Sequence, residues 1–262
     1  RQHGAQRPLR PHPLVRPVSK KEFVLVHGAC HGAWCWEAVA ERLAAKGHAV
    51  VTLDLPGHGR RASEHATASV ANYARAVVDA MALEGISRGI VVGHSMGGLV
   101  IPKVVELAPE RVAHLVFLAA VALPDGGSLF ESHFTLAARA LIQGMAQASG
   151  NARVCYPAEM AWARWMNDLP PDHPVVQAAL PRLSPQPLRP FVERVDLTRF
   201  YAMNVPRTYI RCLKDVAVPP DRALAYAQRL GVKPVDLNAA HDAMLSTPEA
   251  LSKILETLSP SP

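Results

Sequence analysis

A serine flanked by glycines, between an apolar strand and a helix, constrains this chain more than any other feature. The apolar run GIVV at 89–92 leads into GHSMG at 93–97, and GLVI follows at 98–101. This context predicts a buried strand that turns abruptly into a helix. Such a turn strains the backbone at the serine, and small neighbours relieve the steric conflict. We therefore predict that Ser95 lies beside the helix N-terminus and acts as a nucleophile.

A serine nucleophile needs a histidine base, and that base needs an acid to orient it. After a turn of this kind, the acid and then the histidine follow along the chain. His241 meets the requirement, because it lies in a loop of small residues between a short strand at 234–238 and a helix with Thr247 as its predicted N-cap and Pro248 at its first position. We predict that His241 is the base.

Two aspartates compete for the orienting position. Asp215 follows a strand predicted over 207–213, so we expect it at the same sheet edge as Ser95. Asp125 follows a strand predicted over 112–118 and is the second choice. Asp221 fits less well because it falls at the start of the next helix.

Two backbone N–H groups are expected to stabilise the oxyanion of a tetrahedral intermediate. One is the amide of Met96, directly after the serine. The other is the amide of Ala29, in the loop after a strand predicted over 22–26. His27 and His31 of this loop come without a carboxylate cluster, so the sequence predicts no metal site, and the chemistry requires no cofactor. His27 is expected to pack and hydrogen-bond beneath the loop.

Four segments, in chain order, resemble a known family. They are FVLVHGACHGAWCW at 23–36, GHSMGG at 93–98, RTYIRCLKDVAVP at 207–219 and AAHDAMLSTPEAL at 239–251. Together they resemble the plant methylesterase and hydroxynitrile lyase group of the α/β-hydrolase superfamily. The resemblance implies a doubly wound, mostly parallel sheet with an inserted helical cap. It also implies the triad Ser95, Asp215 and His241, with an oxyanion hole formed by Ala29 and Met96.

That group contains both ester hydrolases and lyases that cleave cyanohydrins. The lyases resemble one another in carrying a threonine at the position of Gly28 and a lysine directly after the catalytic histidine, where this chain has Asp242. A carboxylate at that position is expected to repel a departing cyanide ion. Both differences favour an esterase of the EC 3.1.1 class. Methylesterases usually carry an apolar residue in place of Asp242, so the preferred leaving group stays open.

Charge excludes one class of partner. The 262 residues carry a net charge of +6, but residues 1–21 contain six basic residues and no acidic one. The rest of the chain is formally neutral, so the charge gives no support to a nucleic-acid partner.

No apolar run approaches the length of a membrane span. The basic, Pro-rich segment 1–21 lacks hydrophobic periodicity and is predicted to be an extended or disordered tail.

Cysteine usage bears on the compartment. The four cysteines are spread along the chain without metal-ligand spacing, at Cys30, Cys35, Cys155 and Cys212. Their pattern favours buried thiols in a reducing, cytoplasmic compartment.

Prolines mark an insertion in the second half of the chain. Eight of them fall within 125–203, where a sheet strand would not tolerate them. We therefore predict a cap of short helices and turns over 125–203, inserted into a core formed by 22–124 and 204–262. Its apolar residues are expected to wall the substrate pocket, with Phe130, Met145, Met160, Trp162 and Trp165 as candidates.

The sequence thus predicts a serine hydrolase that cleaves small hydrophobic or aryl carboxylic esters through an acyl-enzyme. Its expected partner is a small-molecule ester. The alternatives on the same triad are a hydroxynitrile lyase, a carbon–carbon bond hydrolase or an acyl transferase. A slow-turnover ligand receptor of the same fold is a further alternative. The oligomeric state stays open, with a homodimer among the options.

Overall fold

A parallel sheet forms the centre of the protein. The computed structural model describes residues 20–150 and 152–258. Within these ranges the strands are β1 (Glu22–Val26), β2 (Ala49–Thr52), β3 (Gly89–His94), β4 (Val112–Leu118), β5 (Arg153–Val154), β6 (Gln186–Pro187), β7 (Arg207–Cys212) and β8 (Val235–Leu237). The central sheet has the order β2-β1-β3-β4-β7-β8, and every neighbouring pair is parallel.

The middle strands are buried along their whole length. Every residue of β3 and β4 is buried, as expected for parallel strands covered by helices on both faces. In β1, Val24 and Val26 pack into one hydrophobic cluster, whereas Phe23 and Leu25 pack into another. This alternation places one core on each side of the sheet.

Helices connect the strands and cover both faces. The α-helices of this part are Glu37–Ala45, Val70–Leu83, Gly97–Leu107, Pro220–Arg229, Ala243–Ser246 and Pro248–Thr257. Shorter 3₁₀ segments are Ala33–Trp36, Gly59–Thr67 and Pro109–Arg111. The last helix begins at Pro248, as predicted, but the Thr247 hydroxyl donates to the Ala243 carbonyl instead of capping it. This arrangement confirms the predicted α/β class.

Between β4 and β7 the chain leaves the sheet. It forms the helices Leu129–Ser132, Leu136–Gln147, Ala158–Trp165, Pro174–Ala179, Arg189–Val192 and Thr198–Ala202, and a 3₁₀ turn at Leu180–Arg182. The expectation that this Pro-rich region contains no strand is wrong at Pro187, because β5 and β6 form an antiparallel pair. A two-residue edge ladder tolerates a proline, which lacks an amide hydrogen.

The predicted tail lies outside the described residues except for Lys20 and Lys21. Lys21 is already buried, and its amide donates to His48 Nδ1 at 3.2 Å. In the described ranges, none of the helices combines the length and apolar character that a membrane crossing requires.

Candidate active site

Ser95 lies in a sharp turn between β3 and the helix Gly97–Leu107. Its φ of 54° falls in the left-handed region, which costs a non-glycine residue free energy. The turn is fixed because the Ser95 carbonyl accepts hydrogen bonds from the amides of Gly98 and Val121, each at 3.1 Å. A Cβ atom at Gly93 would lie 2.8 Å from the Gly97 carbonyl oxygen, so the approach of the helix requires glycine there. The half-buried serine side chain consequently faces a cavity at the carboxyl edge of the sheet.

The three predicted triad residues are hydrogen-bonded in series. The Ser95 hydroxyl donates to His241 Nε2 at 2.9 Å, and His241 Nδ1–H donates to Asp215 Oδ2 at 2.7 Å. The other carboxylate oxygen of Asp215 accepts the amides of Ala217 and Val218 at 2.7 and 2.9 Å. Because Asp215 accepts a hydrogen bond from Nδ1–H and so keeps the proton on that nitrogen, Nε2 is left free to accept a proton from the serine.

The rival aspartates lie elsewhere. Asp125 accepts the Leu197 amide at 2.7 Å and the Thr198 hydroxyl at 2.9 Å, so its carboxylate ties the start of a helix to the loop after β4. Asp221 lies in the first turn of the helix Pro220–Arg229. Neither is bonded to His241.

The two predicted oxyanion donors border the same cavity. Ala29 and Met96 line it together with Ser95 and His241. Among the hydrogen bonds of the described residues, none uses the amide of Ala29 or of Met96 as a donor. Two unused N–H groups beside a serine hydroxyl are the geometry that stabilises an oxyanion.

Gln186 of the region between β4 and β7 holds the Ala29 loop. Its buried Oε1 accepts the Cys30 amide at 3.2 Å and His58 Nε2–H at 2.9 Å. Cys30 has a φ of 64°, so the loop turns sharply directly after Ala29. The loop geometry therefore depends on a side chain that the sequence analysis did not identify.

His27 hydrogen-bonds beneath this loop, as expected. Its Nδ1–H donates to the Gly28 carbonyl at 2.8 Å, and its Nε2 accepts the Leu55 amide at 3.0 Å. Burial, with a further contribution from His58, holds the pKa of His27 well below its usual value. The ring is therefore neutral and structural.

His31 and Asp242 form a buried pair that the sequence analysis missed. His31 Nε2–H donates to Asp242 Oδ2 at 3.0 Å, and His31 Nδ1–H donates to the Ala29 carbonyl at 2.7 Å. Both partners are acceptors, so both ring nitrogens carry a proton and the imidazole is charged. Burial opposes that charge, but the carboxylate and the two hydrogen bonds outweigh it and raise the pKa of His31. The Trp34 ring stacks on the imidazole with centroids 5.4 Å apart.

The position of Asp242 corrects one expectation. Its side chain is fully buried against His31 and is not among the residues that line the cavity. Its charge is therefore neutralised by His31 and does not face a leaving group.

His94, directly before the nucleophile, hydrogen-bonds to the backbone of the base, His241. Its Nε2–H donates to the backbone carbonyl of His241 at 3.0 Å. Side-chain atoms of His94, His241 and Asp242 that could ligate a metal ion lie within 4.8 Å of one another. Both ring nitrogens of His241 are already bonded to Ser95 and Asp215, so these residues do not fit a metal site.

The empty space in this cavity, including the part that is open to solvent, is about 380 Å³. Of the five predicted pocket residues, only Trp165 lines it. Met160 is half-buried but does not line the cavity, and Met145 packs against the hydrophobic core. The Phe130 ring packs against the Phe134 ring, with centroids 6.5 Å apart. Trp162 donates its Nε1–H to the Leu169 carbonyl at 2.9 Å, which turns it away from the cavity.

Other residues of the cap region form the wall instead. They are Leu129, His133, Phe134, Tyr156, Arg164 and Phe191, joined by Val121, Ala217 and Val218 from the loops that follow β4 and β7. His133 Nδ1 lies 2.8 Å from the Tyr226 hydroxyl. Burial, followed by the charges of Arg222 and Arg164, lowers the pKa of His133 to about 3, so this histidine is neutral.

Known proteins resemble this chain along most of its length. The model of the alpha/beta hydrolase family matches residues 23–254. Methylesterase 7 of Arabidopsis thaliana is 30% identical over 250 residues, which cover 90% of this chain and 95% of that protein. Salicylic acid-binding protein 2 of Nicotiana tabacum is 30% identical over 254 residues, which cover 88% of this chain and 94% of that protein.

A solved structure shows the same fold. It is an extracellular alpha/beta-hydrolase from a Paenibacillus species, described as sharing structural and functional homology with tobacco salicylic acid binding protein 2. The TM-score is 0.82 at 26% identity, with 90% of this chain and 97% of that chain covered. The predicted α/β-hydrolase fold is thus confirmed. The chain belongs to the alpha/beta hydrolase family and is an esterase-type hydrolase of its methylesterase group.

Proposed function

We propose that the protein hydrolyses small carboxylic esters with an apolar or aryl body, through an acyl-enzyme on Ser95. The observation that supports this most directly is the hydrogen-bonded series from Ser95 through His241 to Asp215, with distances of 2.9 and 2.7 Å. Ser95 and His241 line a cavity whose wall is mostly apolar. Ala29 and Met96, the two predicted oxyanion donors, line the same cavity. A mostly apolar wall of this kind suits the apolar body of a small organic ester.

The first half-reaction acylates the serine. His241 Nε2 takes the Ser95 proton while Oγ attacks the ester carbonyl carbon. The amides of Ala29 and Met96 stabilise the resulting oxyanion, each by about 3 kcal/mol. His241 then gives the proton to the alkoxy oxygen, the bond from carbon to that oxygen breaks, and the alcohol leaves.

The second half-reaction releases the acid. Water replaces the alcohol, gives a proton to His241 Nε2, and attacks the acyl carbon. Collapse of the second tetrahedral intermediate returns the proton to Ser95 Oγ and frees the carboxylic acid. Asp215 stays ionised throughout and holds the imidazole in the required tautomer. No step uses a metal or a cofactor.

In this proposal residues 125–203 act as the cap, and residues 22–124 with 204–262 act as the core. Support comes from the cavity wall, to which the region between β4 and β7 contributes large side chains such as Phe134, Tyr156 and Trp165. The core supplies the triad and both oxyanion donors.

Cyanohydrin cleavage is disfavoured by the surroundings of Gly28. A Cβ atom there would lie 2.8 Å from Ser95 Cβ and 2.9 Å from His94 Nδ1. A threonine at this position, as in the lyases, would therefore require the nucleophile turn to move.

We also propose a reducing compartment. All four cysteines are free thiols, and Cys30, Cys35 and Cys212 are buried. Burial raises the pKa of each of these three thiols, so they stay protonated and unreactive.

Turnover of p-nitrophenyl butyrate by the wild type, Ser95→Ala and Ser87→Ala tests the function. Ser87 is a matched control, because its exposed hydroxyl bonds to the Glu22 carboxylate, away from Ser95 and the cavity. Sustained turnover that is lost in Ser95→Ala and kept in Ser87→Ala supports the proposal. A stoichiometric burst without turnover would indicate a ligand receptor, and cleavage of mandelonitrile but not of esters would overturn the proposal in favour of a lyase.

A further inference from the structure

The cavity wall carries an unbalanced charge. Among the described residues that line the cavity, Arg164 carries a positive charge, and none is an aspartate or glutamate that could oppose it. His133, whose pKa is lowered to about 3, is neutral and adds no second positive charge to the wall. His241 also lines the cavity, but its partner Asp215 lies behind it and does not reach the wall.

Arg164 lies beside the cavity residue Trp165 on the helix Ala158–Trp165. Its side chain is half-buried. Burial first, and then the charges of Arg222 and Arg164, lower the pKa of His133, which lines the same wall. The charge of Arg164 opposes the burial that raises the pKa of Tyr156, a second wall residue.

No hydrogen bond or ion pair joins Arg164 to another residue in the described ranges. Asp168, four residues along the chain, forms no ion pair with Arg164 among the described residues; its Oδ2 accepts the Ala240 amide and the Ser246 hydroxyl at 2.9 and 2.8 Å, and its buried Oδ1 has no hydrogen-bond partner there. Two other arginines of the region are bonded: Arg139 donates to the carbonyls of Phe134 and Glu131, and Arg194 donates to the Glu131 carboxylate.

A half-desolvated guanidinium without a counter-charge loses hydration and gains no protein partner in return. A ligand carboxylate would supply that partner, because its two oxygens match the planar fork of arginine. The surrounding wall is apolar and aromatic, so it suits the uncharged part of the same ligand.

Building on the proposed esterase activity, we propose that Arg164 binds an anionic group of the substrate. The preferred ester is then a monoanion, with an apolar body and one carboxylate in addition to the scissile ester. This adds a charged group to the apolar or aryl ester inferred above.

Matched pairs of small methyl esters test the proposal. The charged members are the monomethyl esters of succinate, glutarate and adipate, and the neutral members are the same esters with the free carboxylate replaced by a primary amide. Methanol release gives kcat/KM for each. The wild type is expected to prefer the carboxylate over the amide by about tenfold or more for at least one chain length.

Each variant is judged by the ratio of kcat/KM within a pair, so its overall activity cancels. Arg164→Gln is expected to bring the ratio to about one, and Arg164→Lys to retain part of the preference, since a single ammonium replaces the fork. Arg199→Gln is the matched control, because Arg199 is exposed and does not line the cavity. It should keep the wild-type ratio.

The wild type gives a second test that does not depend on a folded variant. Raising the NaCl concentration should reduce the carboxylate preference, because salt screens the attraction. Equal kcat/KM within every pair, or a preference that survives in Arg164→Gln, would overturn the proposal. A complete lack of hydrolysis, p-nitrophenyl butyrate included, would instead overturn the proposed esterase function.

Discussion

His31 and Asp242 form an ion pair inside the protein, with Nε2 and Oδ2 separated by 3.0 Å. His31 also binds the Ala29 carbonyl, and Asp242 directly follows His241 in the chain. One protonated imidazole therefore links the loop of the oxyanion donor to the loop of the base. The two residues are fully desolvated, so each depends on the other.

Asp242→Asn should destabilise the protein in a pH-dependent way. The pKa of His31 is raised above its usual 6.5, so the stabilisation from the pair is complete below about pH 6.5 and is lost as the pH rises through the folded-state pKa. We expect a loss of about 3 kcal/mol in the free energy of unfolding at low pH, shrinking at alkaline pH. Urea unfolding of both proteins across this range measures the difference.

The exposed pair of Glu249 and Lys253 provides the control for that experiment. Glu249→Gln should leave the dependence of unfolding on pH nearly unchanged, because solvent screens the pair. A difference between Asp242→Asn and the wild type that does not vary with pH would contradict a charged His31.

Asp215→Asn should remove most of the turnover. The amide no longer holds His241 in the tautomer that accepts the serine proton, and kcat is expected to fall by about 10⁴-fold with little change in KM. Asp125→Asn is the control, since Asp125 bonds to Leu197 and Thr198 rather than to the base. Steady-state kinetics distinguish the two aspartates, and a larger loss in Asp125→Asn would show that the acid was wrongly assigned.

Gly28→Ala should reduce kcat by about tenfold or more while the protein stays folded. The added methyl group would lie 2.8 Å from Ser95 Cβ, so the nucleophile turn must shift, and small displacements at a reacting centre are costly. Gly144→Ala is the matched control, because an added Cβ there meets no atom within 4 Å inside the helix Leu136–Gln147. It should keep kcat and gain about 0.5–1 kcal/mol of stability. Equal kcat in both variants would refute the steric argument.

Gln186→Leu should destabilise the fold and slow catalysis together. The change leaves the Cys30 amide and His58 Nε2–H buried without an acceptor, at a cost of about 2 kcal/mol or more. Loss of the anchor beside Ala29 should also lower kcat. Thermal unfolding and p-nitrophenyl butyrate kinetics measure the two effects, with the exposed Gln177→Leu as the control. A destabilised variant with unchanged kcat would show that Gln186 stabilises the fold without positioning the loop of Ala29 for catalysis.

Local pattern was sufficient to predict the fold class and the positions that bear the proposed triad. Ser95, Asp215 and His241 each follow a strand, and parallel strands bring such positions to one sheet edge without any knowledge of side-chain contacts. Chain order allowed both Asp215 and Asp125, and only the contacts in the structure separate them: Asp215 bonds to His241, whereas Asp125 bonds to Leu197 and Thr198.

The cavity wall was far less predictable. Trp162 and Trp165 lie three residues apart on one short helix, yet only Trp165 borders the cavity. The rotation of such a helix is set by packing against distant segments, and its own sequence does not encode that contact. The pairing of His31 with Asp242, 211 residues apart, has no periodic signal for the same reason.

The contacts of Gln186 matter for any attempt to change substrate range by exchanging the cap between relatives. A transplanted cap that lacks this amide would arrive without the acceptor on which Cys30 and His58 depend, and the recipient oxyanion loop would lose its support. Chimeras should therefore exchange residues 30, 58 and 186 together, so that the loop of Ala29 keeps its hydrogen bonds when the substrate range is changed.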